Sequence, residues 1–416
     1  MIERTMDRRG VQLKTTKKIA YAIVLLMIVV GLIDTRLYPL LYIPIIFILI
    51  KHNKKLYPVD DSIKMADIGI ILISVYETVS VFLPGHFGIS HQIESIQRIL
   101  HVCVFWCFYR LVINERKQID YITNSLSIVA GIISLLTIVA YIKHKQFVVD
   151  LGQDDMISFR SFYKPLGFIS NDWVAILLCS LPMTVVSIIN STTKKQLIIY
   201  SLTYYLVVVS ILVSFSRGAY LSLLFFVFML IILGCYFKCD YRKRVCIMSS
   251  LIIILACVTI FSERKFVIST CQMSKTTVQR QSIQGRISKW GESMSLYKLT
   301  PISGVGSGNY SVAYDFFVQE KRSLKTRRST NTYLQMLVEK GLVGSMIIII
   351  SLFLIIYDCV KAVIKDKRKL PFLLAVLAVF LREFFFSSFY EERRIPLLCM
   401  LLVLLIIQKP LSDEKT

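Results

Sequence analysis

Charged residues are scarce in this sequence, where they make up 18% of 416 residues, against 55% hydrophobic residues. A soluble domain of this length could not readily bury so much apolar side chain. Acidic residues are the scarcer kind, with 27 Asp and Glu against 49 Lys and Arg, so the net charge is +22. In a soluble chain that excess would suggest a nucleic-acid partner. Here we expect no nucleic-acid partner, and we ask instead how the charge is distributed across a membrane.

Several signatures of other protein classes are missing. The ten cysteines fall mostly in apolar runs and give no disulfide framework. Cys103/Cys107 and Cys235/Cys239 have the i, i+4 spacing that a metal site could use, but neither pair has a second Cys or His pair beside it. We therefore expect packing roles for the cysteines, and no metal or other cofactor. An internal repeat or a matched pair of broken helices would indicate a transporter, and neither is present.

Twelve apolar runs are candidate transmembrane helices, because a helix that crosses a bilayer needs about 20 mostly apolar residues. They lie at about 19–33, 37–50, 66–83, 99–113, 121–141, 172–190, 197–213, 218–237, 245–262, 341–360, 370–388 and 395–408. The run 37–50 is short enough to be re-entrant instead of spanning. The sequence therefore predicts an all-α integral membrane protein with about 12 transmembrane helices.

The distribution of Lys and Arg predicts the orientation of these helices. Six lie in 1–18, and others recur in the alternate segments 51–65, 114–120, 191–196, 238–244, 361–369 and 409–416. By the positive-inside rule both termini are predicted to be cytoplasmic, and the first run is predicted to be an uncleaved signal anchor. The predicted organisation is a cytoplasmic N-terminus 1–18, helices 1–9 over 19–262, a large outer loop 263–336 between helices 9 and 10, helices 10–12 over 337–408, and a cytoplasmic tail 409–416.

Two long loops, 142–171 and 263–336, are predicted to lie outside, and long loops are exempt from the charge rule. The larger loop contains twelve Lys and Arg against four Asp and Glu. Such a basic surface suits anionic lipid head groups, and it equally suits a phosphate-bearing substrate that is carried in the membrane. The counts leave both explanations open.

Three motifs lie in the second half of the chain. They are SFSRGAY at 214–220, GRISKWGESMSLYKLTPISGVGSGNY at 285–310 and STNTYLQMLVEKGLVG at 329–344. In order, spacing and placement they resemble the O-antigen ligase and Wzy-type polysaccharide polymerase superfamily, whose last motif is His-Asn, nine residues, then Gly-x-x-Gly. Asn331, Gly341 and Gly344 keep that spacing. Thr330 stands where ligases carry a His that is proposed as the catalytic base, and this departure favours a polymerase.

The resemblance implies a glycosyltransferase that moves a growing glycan from an undecaprenyl-pyrophosphate carrier to an acceptor sugar hydroxyl. It implies a reaction at the outer face of a bacterial cytoplasmic membrane, in O-antigen, capsule or exopolysaccharide biosynthesis. The implied partners are membrane lipid and the chain-length regulator and flippase of the same pathway. The alternatives are an O-antigen ligase with a lipid or protein acceptor, a lipid-linked oligosaccharide flippase or other transporter, and a structural or receptor-like membrane protein. No Asp-x-Asp tract lies in the outer segments, so metal-independent transfer is expected.

Arg217 is the first candidate for a catalytic role, because the carrier pyrophosphate leaves with growing negative charge. It lies between two apolar runs, where its rigid fork of five donors suits a pyrophosphate, and Ser214 and Ser216 add hydroxyl groups. The alternative is an arginine that merely extends to the membrane interface.

Arg382 lies within the eleventh apolar run, where an ionisable residue is a functional candidate by default. We expect it to help bind the substrate. The alternative is a structural ion pair with Glu383 or with another buried carboxylate such as Glu77, for which a structural role is expected.

The large outer loop contains a predicted amphipathic helix over 286–299. Four apolar side chains recur there at three- and four-residue steps, namely Ile287, Trp290, Met294 and Tyr297. The polar side carries Arg286, Lys289 and Ser293. Arg286 and Trp290 are candidate substrate-binding residues, and an interfacial helix with Trp290 at the head groups is the alternative. The glycine-rich stretch 304–309 follows no strand and precedes no Lys-Ser/Thr, so it predicts a tight turn or a close backbone approach to a sugar instead of a nucleotide site.

The third motif predicts a short helix after a Ser or Thr cap. Asn331, Gln335 and Glu339 form an i, i+4 polar stripe, which is either a solvated face or part of the site. In the second case Glu339 is a candidate base and Asn331 a sugar-binding amide. In the smaller outer loop, Arg160 and Asn171 are candidate substrate contacts, although such residues are also common at membrane interfaces.

Overall fold

The structure is a computed structural model, and it describes residues 22–23, 26, 38–50, 63–82, 90–113, 116–150, 170–214, 216–237, 241–262, 264, 277–318, 329–384 and 395–407. The predicted termini 1–18 and 409–416 lie outside the described residues, and so does most of the predicted first span, 19–33. Throughout the described part the regular structure is helical, without a strand.

The described chain forms thirteen α-helices. They are α1 (Tyr38–Ile50), α2 (Met65–Phe82), α3 (Ser90–Val112), α4 (Arg116–Asp150), α5 (Ser170–Asn190), α6 (Lys194–Leu212), α7 (Arg217–Tyr236), α8 (Arg242–Ser262), α9 (Thr277–Leu299), α10 (Tyr310–Val318), α11 (Thr332–Lys365), α12 (Leu370–Glu383) and α13 (Ile395–Ile406). Five of them, α4, α5, α6, α7 and α11, are long and apolar enough to cross a membrane. The predicted all-α membrane architecture is therefore confirmed.

Local sequence signals explain several helix ends. Thr193 caps α6 by accepting a hydrogen bond from the amide of Gln196, whose side chain accepts in return from the amide of Thr193. This reciprocal capping box satisfies two amides that would otherwise have no partner. Pro371 lies in the first turn of α12, where a missing amide hydrogen costs nothing.

The helix α5 lies at the centre of the bundle. Between Trp173 and Asn190, 89% of its residues are buried, and it packs against α4, α6 and α12. The indole of Trp173 donates to Thr137 at 2.8 Å, and the Asn190 amide donates to Asp120 at 3.1 Å. Because both ends of α5 bond to α4, the two helices run antiparallel.

Large apolar side chains also cover the outer faces of the bundle. On α11, for example, Ile349 is 57% exposed and Phe353 is 69% exposed. Water would disfavour so continuous an apolar surface, whereas lipid chains solvate it. The outward faces thus have the chemistry that contact with lipid requires.

Basic side chains tie the helices together at one end of the bundle, which we call the basic end. Here Lys64, Arg244, Lys367 and Lys369 donate to backbone carbonyls at the ends of neighbouring helices, at 2.7–3.3 Å. Lys367 donates to the carbonyl of Phe237, so the end of α7 lies beside the start of α12.

The three motifs meet at the opposite end, which we call the motif end. Since α7 and α12 pack together in antiparallel order, Arg217 at the start of α7 and Glu383 at the end of α12 lie toward the same end. Thr332, in the first turn of α11, donates a hydrogen bond to Glu383. The tertiary structure therefore brings the starts of α7 and α11 to the end of α12.

Candidate functional site

A break in α11 organises the motif end. Gly341 has φ 62° and ψ −166°, which interrupts the helix. The loop 301–309, which we call the glycine loop, satisfies the backbone groups that the break leaves without helical partners. The amides of Val305 and Gly306 donate to the carbonyls of Val338 and Glu339, and the amides of Leu342 and Val343 donate to Pro301 and Ile302, at 2.8–3.3 Å. Buried irregular backbone requires such partners.

Glycine is needed where the loop and the break touch. Gly304 has φ 70°, and a Cβ atom there would lie 2.4 Å from the amide nitrogen of Gly341. A Cβ on Gly341 would lie 2.3 Å from the carbonyl oxygen of Ile302, and one on Gly344 would lie 1.9 Å from the Tyr76 hydroxyl. The tight turn predicted for this stretch is thus observed, and its close backbone approach is to α11. Contact with a sugar stays a prediction.

The polar stripe of the third motif is buried, so it is not a solvated face. Asn331 is 7% exposed, Gln335 4% and Glu339 2%. The Gln335 amide donates to one Glu339 oxygen at 2.9 Å, and the Gly308 backbone amide donates to the other at 3.2 Å. Glu339 therefore holds the glycine loop through its side chain. Its role as a base stays a prediction.

The cap of α11 differs from the prediction, because Asn331 occupies the position expected for Ser or Thr. Its side-chain oxygen accepts from the amides of Tyr333 and Leu334 at 2.9 and 3.1 Å. The hydroxyls of Ser329 and Thr330 are engaged elsewhere, since Ser329 accepts from the Asn331 amide and Thr330 accepts from Trp290. The Asn331 oxygen is thus committed to the helix, and sugar binding by its amide nitrogen stays a prediction.

The predicted outer-loop helix is confirmed and extended, as α9 runs over Thr277–Leu299. The polar and apolar sides predicted for this helix do not correspond to its exposed and packed sides, since Ser293 is fully buried whereas Ile287 is 59% exposed. The small Ser293 allows close packing, and its hydroxyl lies 2.7 Å from that of Tyr310. Burial raises the pKa of Tyr310 to about 12, so this phenol stays protonated.

Trp290 connects α9 to the third motif, because its indole donates to the Thr330 hydroxyl at 3.0 Å. Arg286 is half-buried and lies one turn before Trp290 on the same face of α9. The residue that replaces the ligase histidine is therefore held by the second motif.

Arg382 is fully buried at the end of α12. Its guanidinium lies 3.8 Å from a carboxylate oxygen of Glu383, which is 1% exposed. The structural alternative with Glu383 thus agrees with the geometry. Glu77, the other partner considered, pairs with Lys340 instead. A substrate contact for Arg382 stays a prediction.

Arg217 begins α7 in a different environment. Within the described part of the chain, its half-buried guanidinium makes no hydrogen bond and no ion pair. Ser216 occupies the cap position without capping, and its buried hydroxyl has no partner among the described residues. Ser214 was expected to contribute a second hydroxyl, but that hydroxyl donates to the carbonyl of Ile211 at 2.6 Å. A cation, an uncapped helix N-terminus and an available hydroxyl together suit an anion.

A cavity of about 260 Å³ lies between α2, α3, α11, α12 and α13. Its wall is mostly apolar, and the exceptions are Ser74, Glu77, Arg98, Thr332, Tyr333, Lys340 and Glu383. Glu77, Thr332, Lys340 and Glu383 lie at the motif end, while Ile355 lies deeper, about 20 Å beyond Lys340 along α11. Neither Arg217 nor Arg286 lines this cavity, so a substrate contact for these two arginines stays a prediction.

Two predicted substrate contacts cannot be compared with the geometry. Arg160 lies outside the described residues, and the side chain of Asn171, in the first turn of α5, is outside them as well. Conversely, the sequence interpretation missed Lys340, which pairs with Glu77. A search for a cation to neutralise Glu77 within an apolar run would have pointed to this motif lysine.

Comparison with known proteins relates the motif end to a known protein family. A family model described as O-antigen ligase matches residues 202–349, a segment that includes Arg217, α9, the glycine loop and the break at Gly341. No curated protein sequence matches the chain. Over that segment, this membrane protein is similar to the O-antigen ligase family.

Proposed function

We propose that this protein is a bacterial glycan polymerase, which transfers an oligosaccharide from an undecaprenyl-pyrophosphate carrier to an acceptor sugar hydroxyl. The family match supports glycan transfer of the O-antigen ligase or polymerase type. The observation that carries the proposal is Arg217, a cation that has no counterion among the described residues and lies beside the uncapped start of α7. Thr330 in place of the ligase histidine favours a polymerase over a ligase.

In the proposed reaction, the acceptor oxygen attacks the first carbon of the donor sugar while the bond from that carbon to the pyrophosphate oxygen breaks. The pyrophosphate keeps the electron pair, and a protein base takes the acceptor proton. Arg217 stabilises the charge that grows on the pyrophosphate, with Arg286 and Arg382 as further cations. Such stabilisation contributes to the rate only where it is stronger in the transition state than in the bound substrate.

Two carboxylates at the motif end are candidates for the base. Glu339, the earlier candidate, already accepts hydrogen bonds from Gln335 and Gly308. Among the described residues that line the cavity, Glu383 is present and Glu339 is absent. We therefore assign the base to Glu383, with Thr332 as its hydrogen-bond donor.

The cavity supports a substrate that is carried by a lipid. At the motif end its lining includes charged and hydroxyl groups, and farther along the helices the lining is mostly apolar. That division matches an amphiphile with a hydrocarbon chain. We place the motif end at the outer face of the cytoplasmic membrane, because the lysines and arginines that close the basic end suit the cytoplasmic side. The proposal includes twelve transmembrane spans and cytoplasmic termini. Its partners are the flippase and the chain-length regulator of the same pathway.

The test is a reconstituted assay. Purified protein in lipid vesicles receives a lipid-pyrophosphate repeat unit, and the products are separated by chain length. A polymerase extends the chain on the carrier. Transfer to added lipid A without extension would replace the polymerase with a ligase, and movement of the lipid across the bilayer without new glycosidic bonds would reveal a flippase.

A further inference from the structure

Four polar side chains link α2, the glycine loop and α11, and we call them the Glu77 cluster. They are Glu77 and Ser80 on α2, Ser307 in the glycine loop and Lys340 on α11. Lys340 forms a salt bridge with Glu77 and donates to the Ser307 hydroxyl at 2.9 Å. Ser307 donates to the other Glu77 oxygen at 2.8 Å, and its hydroxyl lies 3.0 Å from that of Ser80.

The cluster is shielded from solvent, since the Lys340 side chain is 3% exposed and the Glu77 side chain 14%. The free energy needed to remove two charges from water offsets most of the free energy of their attraction. A buried ion pair therefore adds little stability over an apolar pair of the same shape. It does require one arrangement, because each charge needs its partner at hydrogen-bonding distance. Such a pair is therefore suited to fixing a position.

The position that it fixes is that of the glycine loop. Lys340 immediately precedes the break at Gly341, and Tyr76 donates to the Lys340 carbonyl at 3.3 Å. The loop continues directly from α9, which carries Arg286 and Trp290. Moving the loop away from α2 would therefore move α9 relative to Thr330.

We propose that Glu77 and Lys340 are a positioning pair, which holds the glycine loop and α9 in the arrangement that glycan transfer requires. The activity part of this inference rests on the proposed function. The geometric part is independent of it, so two separate experiments are needed.

The first experiment measures the position of the loop. Ser80→Cys and Ser307→Cys are introduced together, and a mild oxidant forms their disulfide, which mass spectrometry identifies among the native cysteines. The hydroxyl separation of 3.0 Å places the two positions within disulfide reach. Thr78→Cys with Ser307→Cys is the control, because Thr78 lies on an exposed part of α2. We expect rapid cross-linking of the first pair alone, and a loss of at least about fivefold in its rate when Glu77→Gln is added.

The second experiment measures transfer. Glu77→Gln and Lys340→Met should each lower kcat at least about tenfold with little change in the KM for the lipid-linked donor, and the exchange Glu77→Lys with Lys340→Glu should recover part of the loss. The matched control is Asp67→Asn, which breaks the ion pair of α2 with Arg110 at the basic end. It should leave kcat within about twofold, because the glycine loop is not involved.

Each outcome decides the proposal. An unchanged cross-linking rate in Glu77→Gln would overturn the geometric role. Normal kcat together with slow cross-linking would overturn the positioning role, as would an equal loss of activity in Asp67→Asn. If the wild-type protein makes no polymer, the proposed function fails, while the cross-linking experiment still decides whether the pair holds the loop.

Discussion

Arg217 and Arg382 show how tertiary environment separates two residues of the same type. Arg382 is fully buried beside Glu383, so part of its charge is already balanced. Arg217 is half-buried at a helix N-terminus and has no counterion among the described residues. An anionic substrate would supply that counterion. The stronger functional candidate is therefore Arg217, which has no partner in the part of the chain that the structure describes.

We expect Arg217→Ala to reduce polymer formation by roughly 10- to 150-fold, toward the upper end, at unchanged protein level. A charge-assisted hydrogen bond contributes about 1.5–3 kcal/mol, which corresponds to that range. Arg217→Lys keeps the charge but loses the planar fork, so it should recover only part of the rate. Chain-extension rates in vesicles measure both variants.

The control for this prediction is Arg242→Ala, which removes one exposed positive charge at the start of α8. Its rate should stay near that of the wild type. Near-normal polymer formation by Arg217→Ala would reject the pyrophosphate role, and equal activity of Arg and Lys at position 217 would indicate that only interfacial charge matters.

The roles of the two candidate bases, Glu339 and Glu383, can be separated by their glutamine variants. Glu383→Gln should lower kcat by roughly 100-fold, within the usual range for loss of a general base. Glu339→Gln should instead lower thermal stability, because one of its two oxygens becomes a donor that faces the Gln335 or Gly308 donor. A complete loss of kcat in a stably folded Glu339→Gln would return the base to Glu339.

At the scale of elements, α11 is a broken helix supported on one side by the glycine loop and on another by α2. Tyr76 of α2 reaches the Lys340 carbonyl before the break, and Gly69 meets the backbone of Ser351 beyond it. The Ala66 amide donates to Asp358 still farther along. Because α2 contacts α11 on both sides of Gly341, it holds the two helical parts in one fixed relation.

We expect Gly341→Ala to destabilise the protein by about 2–4 kcal/mol, because alanine is strained at φ 62° and its Cβ would lie 2.3 Å from the Ile302 carbonyl. Thermal unfolding in detergent measures the effect. Gly291→Ala is the matched control, since nothing lies within 4 Å of its added Cβ in the helix α9. That variant should be neutral or slightly stabilising. Equal unfolding temperatures for the two variants would contradict the requirement for glycine at the break in α11.

At the scale of the whole molecule, orientation follows from the two ends of the bundle. Ser311 lies on α10 at the motif end. In a variant with Cys271→Ser, Ser311→Cys should react on intact cells with a thiol reagent that does not cross membranes. Reaction only after permeabilisation would place the motif end inside and reject the proposed site of transfer.

The basic end should give a pH-dependent stability. Burial lowers the pKa of Lys369 from 10.5 to about 8, with Asp366 opposing the shift and Lys64 adding to it. Between about pH 8 and 10 the unfolded chain therefore binds more protons at this residue than the folded protein, so its contribution to stability rises with pH. The unfolding temperature of the wild type should rise relative to that of Lys369→Met over this range. Lys361→Met, which removes an exposed lysine, should show no such change.

Much of this architecture was accessible from the sequence. Apolar runs predicted the membrane class, and the apolar periodicity near Trp290 predicted α9. The side of α9 that packs was not predicted, because Ser293 is buried through its contact with Tyr310. Tyr310 lies outside α9, so the apolar periodicity of the helix does not indicate this contact. The Asn331 cap was missed for a similar reason, since Ser329 and Thr330 are equally good caps until Trp290 and the neighbouring backbone engage them.

By itself the sequence determined the properties that depend on composition and on the local succession of residues. These are an apolar, all-helical membrane chain and the order and spacing of the three motifs. Only the tertiary structure decided which charges are paired. Whether Glu77 meets Lys340 and whether Arg217 has a partner among the described residues depend on contacts between residues far apart in the chain. Electrostatic energy in a medium of low polarity depends steeply on distance, so the chemistry of this site was set by packing.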